Sequence, residues 1–287
     1  MHYKRYKSIL SPHGGMNVYR GCQHGCIYCD SRSKCYRIAH NFEDIEVKAD
    51  APDILESELK ARRGRCVIST GGMSDPYIPL EKELLHTRRC LEVIDKYGFG
   101  LAIQTKSDLI LRDMELLRSI HEKSKCVVEM TLTTFDEELC KIIEPNVCTT
   151  RERARVLRAF RDAGIPTVVW LCPVLPFIND TEENLDGILR YCADAGVWGV
   201  LSFGLGLTLR EGDREYYYQK LDEHFPGLSR KYHQKYGYSY EIRSDNSTRL
   251  EQRFTDTCAR YSMESDGRRI FAFLREYRDR NEQLSLF

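Results

Sequence analysis

Asp162-Ala-Gly-Ile-Pro-Thr-Val-Val-Trp-Leu171 states the folding rule of the whole chain in ten residues. Gly164 ends a helix, because a glycine takes the left-handed turn that closes the last carbonyls at little steric cost. Pro166 cannot continue that helix and opens the next element. The run Thr167 to Leu171 is β-branched and apolar on both faces, as expected for a strand buried in a parallel sheet. The same kind of run recurs outward from it, at Cys66-Val-Ile-Ser-Thr70, Phe99-Gly-Leu-Ala-Ile-Gln104, Cys126-Val-Val-Glu-Met-Thr-Leu132 and Val197-Trp-Gly-Val-Leu-Ser-Phe203. Helical patterns over 81–97, 112–123, 149–163 and 181–195 fill the gaps, the last with Asp180-Thr-Glu-Glu as a capped start.

A first strand within 15–20 brings the count to about six βα units, the signature of an α/β barrel or doubly wound sheet. The fold class predicted is α/β, a partial (βα)6 barrel over 1–210. Residues 211–282 form a helical C-terminal extension, with helices expected near 247–262 and 267–280, packed on the barrel because no linker precedes it. Tyrosine is dense there, at Tyr216, Tyr217, Tyr218, Tyr232, Tyr236, Tyr238 and Tyr240. Residues 283–287 read as an exposed tail.

With 287 residues, 42% hydrophobic and 30% charged, the composition is globular and ample for a core. Lysine plus arginine and aspartate plus glutamate both count 43, which excludes a uniformly basic nucleic-acid sleeve but not local patches. Such a patch is visible: Lys4, Arg5, Lys7, Arg20, Arg32, Lys34 and Arg37 precede an acidic stretch of Glu43, Asp44, Glu46, Asp50, Asp53, Glu56 and Glu58. The first ten residues lack a signal peptide's apolar core, and no run reaches the ~20 apolar residues of a membrane span. The expectation is a cytoplasmic protein with no membrane partner, whose twelve cysteines are ligands, catalytic thiols or small buried hydrophobes.

Tyr19-Arg-Gly-Cys22-Gln-His-Gly-Cys26-Ile-Tyr-Cys29 spaces three cysteines as C-x3-C-x2-C directly after the first strand. Three thiolates from one short loop can hold three irons of a [4Fe–4S] cubane and leave the fourth open. A closed zinc site would need a fourth ligand, for which Cys35 or His24 is at hand. Cys66, Cys90, Cys126, Cys140, Cys172 and Cys192 lie in apolar runs or helices and read as packing residues.

The triplet, with an aromatic residue before its last cysteine, resembles the radical S-adenosylmethionine (SAM) superfamily. The longer string from Asn17 to Cys29 is similar to its spore photoproduct lyase-like branch. The resemblance continues through Gly71-Gly-Met-Ser-Asp-Pro-Tyr-Ile-Pro-Leu-Glu81, Thr105-Lys-Ser-Asp-Leu-Ile-Leu-Arg-Asp113, Glu144-Pro145 and Pro173-Val-Leu-Pro-Phe-Ile-Asn-Asp180. It implies that Cys22, Cys26 and Cys29 hold the cluster and that the open iron chelates the methionyl amine and carboxylate of SAM. An electron from a flavodoxin or ferredoxin would then release a 5′-deoxyadenosyl radical that abstracts hydrogen. It places Tyr28 against the adenine, Gly71 and Gly72 beside the methionyl amine, and Lys106 on the carboxylate. Ser74, Asp75, Thr131 and Thr133 are further cofactor contacts, and Glu144 either meets a ribose or pairs with Arg151 or Arg153. The family's hydrogen-donating cysteine and relay tyrosine fall at Gly72 and Asp30, so the substrate is left open; Tyr77, Met73 and Cys172 are the alternative candidates near the cavity.

The tail Gln283-Leu-Ser-Leu-Phe287 resembles the peptide by which repair proteins dock on the bacterial DNA sliding clamp. Gln283 would take the polar subsite, and Leu284, Leu286 and Phe287 the apolar groove; folding back on the barrel is the plain alternative. A basic entrance and stacking tyrosines suit DNA as substrate. The competing expectations are a radical enzyme acting on a peptide or small metabolite, and a non-catalytic iron–sulfur adaptor that binds the clamp.

Overall fold

A computed structural model describes residues 1–279. Its main sheet has six strands: β1 (Gly15–Met16), β2 (Val67–Thr70), β3 (Gly100–Thr105), β4 (Cys126–Thr131), β5 (Thr167–Trp170) and β6 (Gly199–Leu201). All pairs are parallel and the spatial order equals the chain order, with β1 and β6 as open edges. Right-handed crossovers between parallel neighbours throw every connecting helix to one face. The result is an incomplete barrel with helices outside and a lumen within.

Strand alternation divides the side chains between these faces. Ile68, Ile103, Val128, Val169 and Val200 join the large outer core beneath the helices. Val67, Ala102, Val127, Val168 and Leu201 point the other way and form a separate apolar cluster with Ile270 and Leu274. Those last two belong to helix Gly267–Arg275, which therefore floors the lumen. The segment leading into it pairs with the open edge, as a parallel bridge joins Gly199 to Glu264. Lys125 is buried, donates to the Phe273 carbonyl and lies 3.7 Å over the Phe273 ring.

Local chemistry explains the helix starts. Thr149 and Glu152 form a reciprocal capping box on Thr150–Asp162, and Thr181 caps Glu182–Asp194. Each such cap is worth about 1 kcal/mol.

Several expectations need correction. The strand read over 15–20 is shared between two sheets: Gly15–Met16 pairs with β2, whereas Tyr19–Arg20 runs antiparallel to Glu46–Lys48 in an outer three-stranded sheet. The helix read over 81–97 breaks at Leu85, whose φ is +52°. The helix read over 267–280 stops at Arg275. An antiparallel pair, Gly206–Thr208 with Glu241–Arg243, and a helix at Ala51–Ala61 were not anticipated.

The basic entrance is also altered by folding. Arg32 pairs with Glu43, Lys4 with Glu46 at 3.2 Å and Arg5 with Asp50 at 3.7 Å, so the acidic stretch neutralises much of the basic one. Tyr217, Tyr218 and Tyr232 are buried in an apolar cluster with Leu207, Leu221 and Ile242 rather than presented for stacking. Tyr238 and Tyr240 are the exposed members of that group. Among the described residues, no helix is long and apolar enough to cross a membrane.

Candidate active site

The cysteine loop leaves the outer sheet at Gly21, where φ is +86° and a Cβ would lie 2.3 Å from the Phe42 carbonyl oxygen. Only glycine tolerates both conditions. From there the loop is fastened on three sides. Cys22 N–H donates to Phe42 O (3.1 Å), Ile27 N–H to Ile143 O (3.0 Å) and the Ser74 hydroxyl to Gly21 O (2.6 Å). His24 is buried, 3.3 Å from Asp75.

Cys22 and Cys26 are buried and Cys29 is half-buried. Burial pushes the Cys22 thiol up to about 12, with Asp75 and Cys29 adding to the effect. Burial raises Cys26 as well, against the pull of Lys106. Such thiols give up their protons only to a cation that takes the proton's place. The two residues that would complete a zinc site are otherwise engaged: His24 faces Asp75, and Arg210 donates to Cys35 Sγ at 3.3 Å. Three thiols on one loop without a fourth protein ligand fit three irons of a cubane better than a closed zinc site.

Beside Cys29 opens a cavity of about 620 Å³ at the C-terminal ends of the strands. Tyr28, Gly72, Lys106, Thr131 and Cys172 all line it. A Cβ on Gly72 would meet nothing within 4 Å, so the backbone there is open to a ligand. Tyr28 turns its ring to the cavity and donates its hydroxyl to Glu144, which also pairs with Arg153. Arg153 is fully buried and donates to the Thr131 carbonyl at 2.7 Å and the Cys148 carbonyl at 3.0 Å. Glu144 thus acts through Tyr28, and Arg151 pairs with Glu137 instead. Lys106 Nζ lies 6.0 Å from the Tyr28 ring centre. Burial works against its ammonium, but Cys26, Glu144, Cys29 and Asp75 outweigh it and raise its pKa.

Cys29 and Asp30 also line the cavity, whereas Gly71, Met73, Ser74, Asp75, Tyr77 and Thr133 do not. Gly71 has φ +101° and a hypothetical Cβ only 2.0 Å from the Gln104 carbonyl oxygen, so strand packing requires this glycine. Ser74 is committed to Gly21, and Asp75 accepts from Tyr77 N–H (2.8 Å), the Thr105 hydroxyl (2.7 Å) and Lys106 N–H (2.8 Å). Both bind the cysteine loop to the strand ends. Thr133 is buried, its carbonyl held by Asn179 and Asn184. Tyr77 is buried with its hydroxyl on Asp113 at 3.1 Å, and Met73 is also outside the lining.

Tyr240, one of the tyrosines read from sequence as stacking residues, lines the rim, and residues not anticipated complete the wall: Gln104 and Trp170 on the lumen side, Phe203, Arg210 and Arg243 on the rim. Beneath them Glu129 is buried and accepts from the Trp170 indole N–H at 2.6 Å. Desolvation raises its carboxyl from 4.5 to about 7, only partly offset by that bond. A glutamate inside the apolar run Cys126-Val-Val-Glu-Met was a visible signal, since strand alternation puts it in register with Val127 and Thr131 on one face.

The radical SAM superfamily profile matches residues 16–208, from the first strand of the sheet to the cavity rim. This chain belongs to the radical SAM superfamily. Radical SAM proteins use a [4Fe–4S] cluster and SAM, and this one does so as a member. An uncharacterised protein of Mycobacterium tuberculosis is 29% identical over 259 residues, covering 88% of this chain and 76% of its own length. One from Acidianus two-tailed virus is 29% identical over 261 residues, covering 81% and 84%. Among solved structures, spore photoproduct lyase complexed with dinucleoside spore photoproduct superposes with a TM-score of 0.60 at 15% identity, covering 86% of this chain and 74% of that one. The radical SAM methyltransferase TsrM of Kitasatospora setae, with cobalamin and [4Fe–4S] cluster bound, gives 0.51 at 18% identity over 68% and 34%. At these identities the structures speak to the radical SAM fold alone.

Proposed function

We propose that this radical SAM enzyme acts on a modified nucleobase in DNA. Cys22, Cys26 and Cys29 hold the cluster; Gly72, Tyr28, Lys106 and Thr131 receive SAM. When bound, cluster and SAM supply a carbon-centred radical able to abstract hydrogen. The chain's own residues orient and enclose it. Lys106, kept cationic, meets a carboxylate, and Tyr28 is locked as a flat wall by Glu144 and Arg153.

The observation that carries the substrate class is the rim. Phe203 is 60% exposed and lies 5.5 Å from the Trp170 ring, a face-accessible apolar step down into the lumen. Opposite it Arg210 donates to the Tyr240 hydroxyl at 2.7 Å, and Arg243 stands beside them on the rim. Aromatic faces suit an extruded base, and Arg210 and Arg243, which pair with Asp30 at 3.6 Å and Glu241 at 3.5 Å, would exchange those carboxylates for its phosphates. Spore photoproduct lyase, whose fold this chain shares, has been solved with a dinucleoside lesion. The Cys172 thiol is pushed up to about 12 by burial, so it keeps its S–H and is the candidate to return a hydrogen atom to a substrate radical.

The tail Gln283-Leu-Ser-Leu-Phe287 lies outside the described residues. Its likeness to clamp-docking peptides supports a tether to the sliding clamp. A cytoplasmic setting and a flavodoxin or ferredoxin donor complete the proposal.

Anaerobic reconstitution, reduction with dithionite and assay against damaged oligonucleotides tests it. Deoxyadenosine release should rise with the right lesion, and DNA affinity should fall with salt. No lesion-dependent turnover together with no DNA affinity defeats the DNA reading. Turnover on a peptide or metabolite instead favours that class, and no deoxyadenosine at all favours an adaptor. Deleting 283–287 should abolish clamp pull-down and leave iron content intact.

A further inference from the structure

The outer three-stranded sheet carries a second constellation, independent of the cavity. One ring nitrogen of His2, one of His40 and one carboxylate oxygen of Asp44 lie within 4.8 Å of one another. Their surroundings prepare them as ligands. His40 Nδ1 sits 2.9 Å from the Asn41 carbonyl oxygen, which only accepts, so Nδ1 carries the proton and Nε2 presents its lone pair. That Nε2 is buried and has no hydrogen-bond partner, although the side chain is 17% exposed. A ring nitrogen fixed by a backbone carbonyl, with the opposite nitrogen bare, is the arrangement of a metal-binding histidine. His2 Nδ1 is 3.0 Å from Asp44 Oδ2, and His2 Nε2 and His40 Nε2 are 3.7 and 3.9 Å from Glu46 Oε2. Two carboxylates therefore flank two imidazoles. The Met1 amine holds Asp44 Oδ1 at 2.8 Å; Glu46 takes the Tyr6 hydroxyl on one oxygen, Lys4, 54% exposed and able to swing outward, at 3.2 Å on the other, and feels Arg20 nearby.

We propose that His2, His40 and Asp44 bind one divalent ion of the zinc class, with Glu46 as the neighbouring charge that balances it. Nitrogen and oxygen donors without sulfur favour zinc or nickel over iron–sulfur chemistry. Ligands around a tetrahedral zinc stand roughly 3.3 Å apart; His2 Nδ1 and Asp44 Oδ2 are 3.0 Å apart, and the three donors lie within 4.8 Å of one another. The ion would join strand His2–Lys4 to the segment 40–46. Within that segment Phe42 O receives the Cys22 N–H, and the same carbonyl crowds Gly21. A metal clip here stiffens the outer brace of the cysteine loop, and does so whatever substrate the barrel takes.

Zinc chloride titrated calorimetrically into the cluster-loaded full chain should show one site per chain. His40→Ala and His2→Ala should each weaken it by at least about tenfold. Iron content should be unchanged in both variants, which separates this site from the cysteine triplet. A His2→Asn/His40→Asn double variant controls for loss of packing, and its circular dichroism should match the parent. No zinc uptake by the parent chain overturns the proposal, as does equal uptake by the double variant.

Discussion

Glu129 offers the sharpest test of how the lumen is built. It is buried beneath the cavity floor with one hydrogen bond, from Trp170 at 2.6 Å, and its carboxyl is raised from 4.5 to about 7 by desolvation. The folded state therefore holds this proton more tightly than the unfolded state does. Its stability contribution is greatest below about pH 4.5, is lost as pH rises towards about 7, and is constant above that. At ~1.4 kcal/mol per pH unit the span is worth about 3 kcal/mol, of which about 2 kcal/mol falls between roughly pH 5.5 and 8. Glu129→Gln keeps the volume and an oxygen to accept from the indole but cannot ionise. Urea unfolding of both proteins, at equal cluster loading, should show the variant gaining about 2 kcal/mol on the wild type across that interval. Other titrations cancel in the comparison. A difference independent of pH would refute the reasoning, because Glu129 would then be reached by water or paired in the folded protein.

Three further outcomes follow from the same geometry. Gly71→Ala should lose about 3 kcal/mol or more, since its methyl would sit 2.0 Å from a carbonyl oxygen at φ +101°; thermal melting reads it. Arg153→Met should cost about 3–5 kcal/mol by leaving Glu144 buried and unpaired, and adding Glu144→Gln should recover part of that in a double-mutant cycle. Cys172→Ser should leave deoxyadenosine formation intact while product formation falls; unchanged product yield would exclude Cys172 as hydrogen donor.

The strands were legible because β-branched runs in a parallel sheet are apolar on both faces, and such runs are local. Gly164 and Pro166 likewise punctuate by their own backbone constraints. The division of 15–20 between two sheets was not legible, since a short alternating segment satisfies either partner equally. Ser74 and Asp75 were recognised as polar groups at a strand end. Whether they turn towards a cofactor or towards Gly21 and Thr105 depends on distances that spacing does not encode. The rim was anticipated only at Tyr240, for a similar reason: Phe203 and Arg243 come from separate segments and meet it only through the antiparallel pair Gly206–Thr208 with Glu241–Arg243. The apparent basic entrance showed the opposite failure, because composition counts charges without their partners, and Glu43, Glu46 and Asp50 are those partners.

The helix that floors the lumen has a consequence for biogenesis. A ribosome that has completed β6 at Leu201 has synthesised every strand of the barrel, yet Ile270 and Leu274 are still untranslated. Until they arrive, Val67, Ala102, Val127, Val168 and Leu201 line an unfilled trough. The cysteine loop, made near the start, must wait on residues made some 240 positions later before its cavity has a bottom. Until then the half-made chain exposes apolar surface that the finished one buries.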